Sequence, residues 1–367
     1  MRVLQVIDSL ILAGAEVLVR ELAPRLRDRG AQVEVAVLKV LDSPLERQLR
    51  ELGIPCWLVR EGSIYSPGQA WALARRIQDF DLIHAHLFPA QLWAPLAAHR
   101  ARSRAVLVYT EHSTRSRRRT RWFRPADRWI YNQYDAVVCN SVDTAEHLVG
   151  WFPTLEARTR VIHNGIPLSR FESAQPVSRA GVLGCEATRL VITVARLEAM
   201  KDHATLLRAV AQLPSDVHLA LVGDGSLRNS LAELALRLGI ATRVHFLGRR
   251  PDVPELLKMA DVFALSSRQE SFGIAALEAM AAGVPVVASR ISGLTELIGE
   301  SGLLFPPGDV AALAGNLGKL LDSLELRRTL SAAGMRRAAE FSIETCADAH
   351  LALYQSLIQP TGGSRRA

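Results

Sequence analysis

Two carboxylates and two cations carry the chemistry that is legible in this chain. Glu270 and Glu278 stand within the stretch SSRQESFGIAALEAMAAGVPVVASRISGLTELI, residues 266 to 298. Glu270 falls in the loop after the apolar run Val262 to Leu265, at a strand end where open α/β sheets bind ligands. Glu278 falls inside the helical stretch Phe272 to Ala282, which Ser271 is placed to cap and whose other residues are uncharged, so it faces something buried. An unpaired buried carboxylate is costly. A sugar diol would satisfy it with two donors, and so would an ion pair with one of the chain's many arginines. Arg196 and Lys201, in ARLEAMKD, follow another apolar strand, Leu190 to Val194. They precede a helix from about His203 to Leu213. Two cations at a strand–helix junction suit a diphosphate, with the helix dipole adding to them; the alternative is a surface pair.

Further candidates lie at other strand ends. The loop around Ala13–Gly14 joins the first strand to the first helix, where backbone amides can face a phosphate; otherwise it is a tight turn. His84 and His86 end a strand in LIHAHLF, with no third metal ligand apparent, and read as core histidines or as a site. His112 follows the strand Val106 to Thr110. Val217 to Val222 ends in Gly223-Asp224-Gly225, too short a glycine pattern for a dinucleotide fingerprint. Asp79-Phe80-Asp81 matches D-x-D by letters but merely precedes a strand. The cysteines 56, 139, 185 and 346 make no metal-ligand spacing and read as small apolar residues in a reducing compartment. No metal is expected.

The elements that must position these groups alternate. Apolar strands, such as Arg2 to Ile7 and Ala136 to Cys139, alternate with amphipathic helices, such as Gly68 to Gln78, which implies parallel, doubly wound sheets. A length of 367 residues, 49% hydrophobic and 22% charged, suits two globular domains rather than a disordered chain. Net charge is +7, and the run Arg115 to Arg128 holds seven of the arginines, interleaved with Trp122 and Phe123 and followed by Trp129. Such a segment suits an anionic membrane surface, RNA or plain solvent. Nothing else resembles a nucleic-acid module. Asp8 interrupts the first apolar run, which reads as a strand rather than a signal peptide. No apolar run is long enough to span a membrane.

The stretch holding Glu270, Ser271, Phe272, Gly273, Glu278, Ala279, Met280, Gly283, Pro285 and Val286 resembles the E-x7-E motif of glycosyltransferase family 4. These are the retaining GT-B enzymes, also grouped as glycosyl transferases group 1. The resemblance covers almost the whole chain and is densest from 190 to 310. It implies an α/β GT-B fold, two Rossmann-like doubly wound parallel-sheet domains facing a central cleft. The acceptor-binding domain would be 1–166, completed by a C-terminal helix, 343–359. A linker at 167–188 would lead to a nucleotide-sugar-binding domain at 189–342, with a disordered tail at 360–367. It implies that Glu270 contacts the donor's sugar and Glu278 its ribose hydroxyls. Amides of Phe272, Gly273 and Ile274, and those near Gly14, would approach the sugar and phosphates. Arg196 and Lys201 would hold the pyrophosphate, with Gly223 beside the nucleotide. His112 would contact the sugar near the reacting carbon, and His86 would line the cleft. Two departures stand out: Ala13 replaces the first glycine of a usual GGAE, and Pro167 replaces the acid of N-G-[IV]-D.

The same resemblance implies a metal-independent hexosyltransferase-type enzyme with no cofactor beyond its donor substrate, a nucleotide-diphosphate sugar. The acceptor would be a glycan or lipid-linked, in cell-envelope or polysaccharide synthesis. The enzyme would be cytoplasmic and peripheral on the inner membrane face through Arg115–Arg128, with no nucleic-acid partner. The rivals are another GT-B enzyme, such as a phosphorylase or epimerase, and a non-catalytic nucleotide-binding or membrane-surface module. A phosphorylase would bring a pyridoxal-binding Lys in a longer chain, and the set Arg196, Lys201, Glu270, Glu278 argues against a module.

Overall fold

A computed structural model of the chain describes residues 1–11, 14–39, 43–113, 120 and 122–359. Ala13, Arg115 to Arg119, Arg121 and the tail at 360–367 lie outside the described residues. The chain divides into two compact units, one of Met1–Gly165 with Ile343–Ala367, the other of Ile166–Ser342.

The first unit is built on strands β1 (Arg2–Ile7), β2 (Gln32–Val37), β3 (Cys56–Leu58), β4 (Leu82–His86), β5 (Val106–Glu111), β6 (Ala136–Cys139) and β7 (Thr159–Val161). They pair in the order β3-β2-β1-β4-β5-β6-β7, all parallel. The central strands are apolar throughout because both faces are covered. Leu4, Val6, Ile83 and Ala85 join one buried layer. Val3, Ile7, Leu82 and Val108 join the other, which includes Ile343 and Tyr354 of the helix Ile343–Ile358. That helix lies against the helix Gly14–Asp28, with Arg25 and Arg29 paired to Glu344 (3.1 Å) and Asp348 (2.5 Å). The expected helix from Gly68 to Gln78 breaks into Gly68–Ala74 and a 3-10 turn, Ile77–Asp79. Asp81, of the discounted D-x-D, accepts from the Arg2 amide at 2.8 Å, at the amino end of the sheet.

The second unit has strands β8 (Arg189–Val194), β9 (Val217–Val222), β10 (Val244–Gly248), β11 (Val262–Leu265), β12 (Val286–Ser289) and β13 (Leu303–Phe305). Their order is β10-β9-β8-β11-β12-β13, again all parallel. Each sheet therefore has the doubly wound order, with a reversal at its middle: between β1 and β4 in one, between β8 and β11 in the other. Residues 167–188, expected as a linker, hold two short helices, Leu168–Glu172 and Arg179–Leu183. Phe171 there is buried in the core of the second unit. Among the described residues, no helix is long and apolar enough to cross a membrane.

Two glycines bring backbones together in the second unit. Gly223 sits at φ 132°, and a Cβ there would run into the carbonyl of Ala195. A Cβ on Gly293 would stand 2.6 Å from the Glu270 carbonyl oxygen. A Gly223→Ala change should therefore cost about 3 kcal/mol or more, by combined strain and overlap. Exposed Gly62, at φ 104° with nothing within 4 Å, should cost only about 1 kcal/mol on the same change, the strain alone. Urea unfolding of both variants checks the difference.

Candidate active site

In the second unit the functional side chains gather at the reversal between β8 and β11, the ligand end of a doubly wound sheet. Arg196 and Lys201 follow β8, and Glu270 follows β11. The two loops are stitched together through main chain. The Arg268 amide donates to the Met200 carbonyl at 2.9 Å. Ser266 Oγ donates to the carbonyls of Lys201 (3.1 Å) and Asp202 (2.9 Å). Arg268 Nε and Thr205 Oγ1 both donate to Asp202 Oδ2, at 2.9 and 3.0 Å. Asp202 takes the left-handed conformation, φ 46°, at the start of the helix His203–Ala211.

Held this way, Lys201 Nζ pairs with Glu270 Oε1, which also accepts from Ser267 Oγ at 2.8 Å. Both members are half-buried, with 20% and 14% of their side chains exposed, so the pair is less screened than a surface one. Arg196 is exposed, with no hydrogen-bond or ion-pair partner among the described residues. It offers a full guanidinium to an anion. The turn Gly223–Gly225 lies directly against this loop. Leu197 N donates to the Asp224 carbonyl at 3.1 Å, and a Cβ on Gly225 would sit 2.5 Å from the Leu197 carbonyl oxygen.

The helix carrying Glu278 spans Ile274–Ala281. Its cap is Gly273, at φ 95°, and not Ser271 as the sequence suggested. A side chain at Gly273 would collide with Leu294, so the bare backbone is what fits. Phe272 is buried edge-on against Phe341, 5.4 Å between centroids, so its ring belongs to the core. Ile274 supplies the first helical amide. Glu278 itself is half-buried and makes no hydrogen bond or ion pair among the described residues. Burial pushes its carboxyl up to about 7, and the charge of Arg170 offsets this only in part. The ion pair that the sequence allowed is therefore not made. The group that stands there is a carboxyl that ionises readily once hydroxyl donors approach it.

In the first unit, Gly14 opens the helix Gly14–Asp28 beyond β1, and His86 closes β4, again at the reversal. Buried Glu16, in that helix's first turn, is pushed up to about 7 by burial and by Asp8. His86 and His112 meet: His86 Nδ1 is 3.1 Å from His112 Nε2. The tautomers are set from the far end of the chain of bonds. Gln5 Oε1 only accepts, so His86 Nε2, 2.7 Å away, carries the proton and donates. His86 Nδ1 must then accept, from His112 Nε2–H. The remaining His112 nitrogen, Nδ1, keeps its lone pair. Behind them, Gln5 Nε2 donates to the Tyr354 hydroxyl at 3.4 Å, and His84 bridges Tyr354 (2.6 Å) and Thr110 (2.7 Å). His350 Nδ1 donates to the Cys346 carbonyl at 2.8 Å. Burial holds all four histidines neutral, helped by neighbouring imidazoles for His84, His86 and His112: His112 goes down to about 3, His350 down to about 4 despite its bond to the Cys346 carbonyl, and His84 and His86 lie well below their ordinary range.

The structure thus brings Arg196, Lys201, Gly223, Glu270, Phe272, Gly273, Ile274 and Glu278 to one end of the second sheet. It places Gly14, His86 and His112 at the corresponding end of the first. Sequence reasoning missed Ser266, Ser267 and Asp202, which fix Lys201 and Glu270. It also missed Gln5, Thr110, His350 and Tyr354 behind the histidines. A glutamine inside the otherwise apolar β1 was the available signal for that network.

Residues 12–170 match Glycosyltransferase Family 4, and residues 182–337 match Glycosyl transferases group 1. A D-inositol 3-phosphate glycosyltransferase of Corynebacterium jeikeium is 32% identical over 313 residues, 78% of this chain and 74% of the relative. The corresponding protein of Mycolicibacterium vanbaalenii is 30% identical over 302 residues, and there the match spans 66% of the relative's length, just under two thirds. The lipopolysaccharide core biosynthesis glycosyltransferase LpsE of Rhizobium meliloti is 34% identical over 231 residues, 62% of this chain and 66% of its own. Among solved structures, Anabaena HepE in complex with UDP and glucose superposes with a TM-score of 0.85 at 26% identity, covering 97% of this chain and all of that one.

Acid should weaken the first unit through its histidines. Their folded-state values lie below the ordinary 6.5, so the unfolded chain binds more protons. The stabilisation is complete above pH 6.5 and is lost as pH falls toward about 3 to 4. One such imidazole is worth about 2 kcal/mol at pH 5. Thermal unfolding between pH 5 and 7.5 should show this slope, and His350→Gln should reduce it.

Proposed function

This chain belongs to glycosyltransferase family 4, and on that premise we propose that it is a retaining, metal-independent hexosyltransferase. It takes a sugar from a nucleotide-diphosphate sugar to a glycan or lipid-linked acceptor in cell-envelope or polysaccharide synthesis. UDP-glucose is the first donor to try, a choice supported by the UDP and UDP-glucose complexes of HepE. The glycan or lipid acceptor draws support from the relatives named for inositol phosphate and lipopolysaccharide core. The observation that carries the reading is the set at the β8–β11 reversal. Arg196 stands unpaired, Lys201 is fixed beside Glu270, and Glu278 is an unpaired carboxyl in the next helix.

The chemistry is that of these groups. The bond that breaks joins the anomeric carbon to the diphosphate. As it lengthens, the sugar becomes oxocarbenium-like and negative charge gathers on the departing phosphate. Arg196 and Lys201 stabilise that charge, helped by the amide of Gly273. Lys201 already spans the two roles, because its partner Glu270 is the group assigned to the sugar. When phosphate arrives, the ammonium has three donors and can serve both. Glu278 accepts from the ribose hydroxyls. His112 contacts the sugar near the leaving phosphate. The leaving phosphate takes the acceptor's proton on the same face, so the configuration is retained and no enzyme nucleophile is needed.

The basic segment gives the enzyme a place at a membrane surface. Trp122 is 93% exposed, with Phe123 and Trp129 also outward, beside the exposed Arg124 and Arg128 of the helix Arg124–Asn132. Aromatic rings among arginines suit the headgroup region of an anionic leaflet. The chain is then cytoplasmic and peripheral.

With UDP-glucose and no acceptor, the purified chain should release UDP slowly. Lys201→Ala should lower that rate roughly 100-fold, about 3 kcal/mol of barrier, with the fold unchanged by circular dichroism. A variant of near-normal rate would remove the assignment. In flotation with vesicles containing anionic phospholipid at physiological salt, the chain should float. Replacing Trp122, Phe123 and Trp129 with Ser should leave it at the bottom of the gradient.

A further inference from the structure

At the opposite end of the second sheet, a sulfur and two imidazoles converge. Cys185 lies between the helix Arg179–Leu183 and β8, while His218 and His245 are the second residues of β9 and β10. β9 and β10 pair in parallel with His245 opposite Ala220, so His218 shares the face of His245 one step along the ladder. Cys185 Sγ is 3.6 Å from His218 Nδ1 and 3.9 Å from His245 Nε2, and those two nitrogens are 3.0 Å apart. The rings stack at 13°, and all three residues are half-buried.

We propose that Cys185, His218 and His245 form a site for a borderline-soft divalent transition-metal ion of the zinc class, with solvent as the fourth ligand. The distances are the argument. An ion bonded tetrahedrally to a thiolate at ~2.3 Å and imidazoles at ~2.05 Å would hold sulfur and nitrogen about 3.6 Å apart, and the nitrogens about 3.3 Å apart. The three atoms stand within a few tenths of an ångström of that triangle. Among the described residues, this is the one group of three such ligands that converges so closely. Thiolate with imidazole selects zinc over the harder cations.

The chain is also held ready for the ion. Arg179 ties the segment bearing Cys185 to its surroundings, donating to the carbonyls of Met259 (2.8 Å), Ala187 (3.0 Å) and Thr188 (3.0 Å) and to Asp261 Oδ2 (3.0 Å). Arg243, which bears on His218, is engaged with the carbonyls of Leu213, Pro214 and Val217.

Binding balances simply. The thiol gives one proton to solvent and coordinates as thiolate. His218 binds through Nδ1 with its proton on Nε2, and His245 through Nε2 with its proton on Nδ1. The site lies at the amino ends of the strands, away from Arg196 and Glu270. It would fasten the segment that leads into β8 to the edge strand β10. The sequence showed no metal spacing because the ligands are 33 and 27 residues apart, on three different elements.

Calorimetric titration of the chelator-treated full chain with zinc chloride, in two buffers of different ionisation enthalpy, tests this. One ion should bind per chain with release of about one proton. Cobalt(II) should give a thiolate charge-transfer band. Cys185→Ser should abolish the band and weaken zinc at least tenfold, and His218→Asn and His245→Asn should each weaken it similarly. Zinc should raise the unfolding temperature of the wild type, reversibly with chelator, but not that of Cys185→Ser. No saturable binding, or equal affinity and stoichiometry in Cys185→Ser, would overturn the proposal.

Discussion

The second unit depends on one contact, the pairing of Lys201 with Glu270 across two loops that leave adjacent strands. Bringing a half-buried ammonium to a half-buried carboxylate gains little unless both are held still. Here the holding is done by uncharged groups: Ser266 on the carbonyls of Lys201 and Asp202, Ser267 on the carboxylate, and the Arg268 amide on Met200. Asp202 adopts a left-handed backbone to make this stitch, a conformation seldom taken outside glycine. The strain is met by three side chains that donate to it, Ser266, Arg268 and Thr205. The result is a cation whose position is set before any ligand arrives, which is the form of electrostatic stabilisation that costs least at the moment of reaction.

The two units treat charge in opposite ways. The first assembles four imidazoles and keeps every one uncharged, so that directionality, not charge, is what the network transmits. Its order begins at a single amide, Gln5, whose oxygen can only accept, and it ends at a bare nitrogen on His112. The second unit leaves the charged guanidinium of Arg196 bare and raises the carboxyl of Glu278 to about 7, so that the carboxyl's full charge is expressed only against a ligand.

Much of this was visible in the letters. Strands buried on both faces are continuous apolar runs, so Arg2–Ile7, Ala136–Cys139 and Val217–Val222 could be bounded from sequence. Glu278 stood out as the lone charge in an apolar helix, and its half-buried, unpaired state explains why. Ser271 was misread as a cap because hydroxyl residues usually serve there; the helix begins instead at Gly273, whose left-handed backbone at φ 95° only glycine takes without strain. Tyr354 and the Cys185 triad left no local trace. Each depends on side chains meeting across the fold, and spacing along a chain records only neighbours on one element.

The helix Ile343–Ile358 belongs to the first unit's interior but is made only after the whole second unit. Tyr354 and Gln5, bonded to each other, are 349 positions apart. A ribosome adding ~5–20 residues per second needs roughly 20 to 70 s to cover that span. Throughout that time the nascent first sheet lacks its last layer, and the imidazoles of β4 lack Tyr354 and His350. The whole second unit, residues 166 to 342, emerges in between and has its own sheet complete first. For this chain, the order of translation and the order of completion run in reverse.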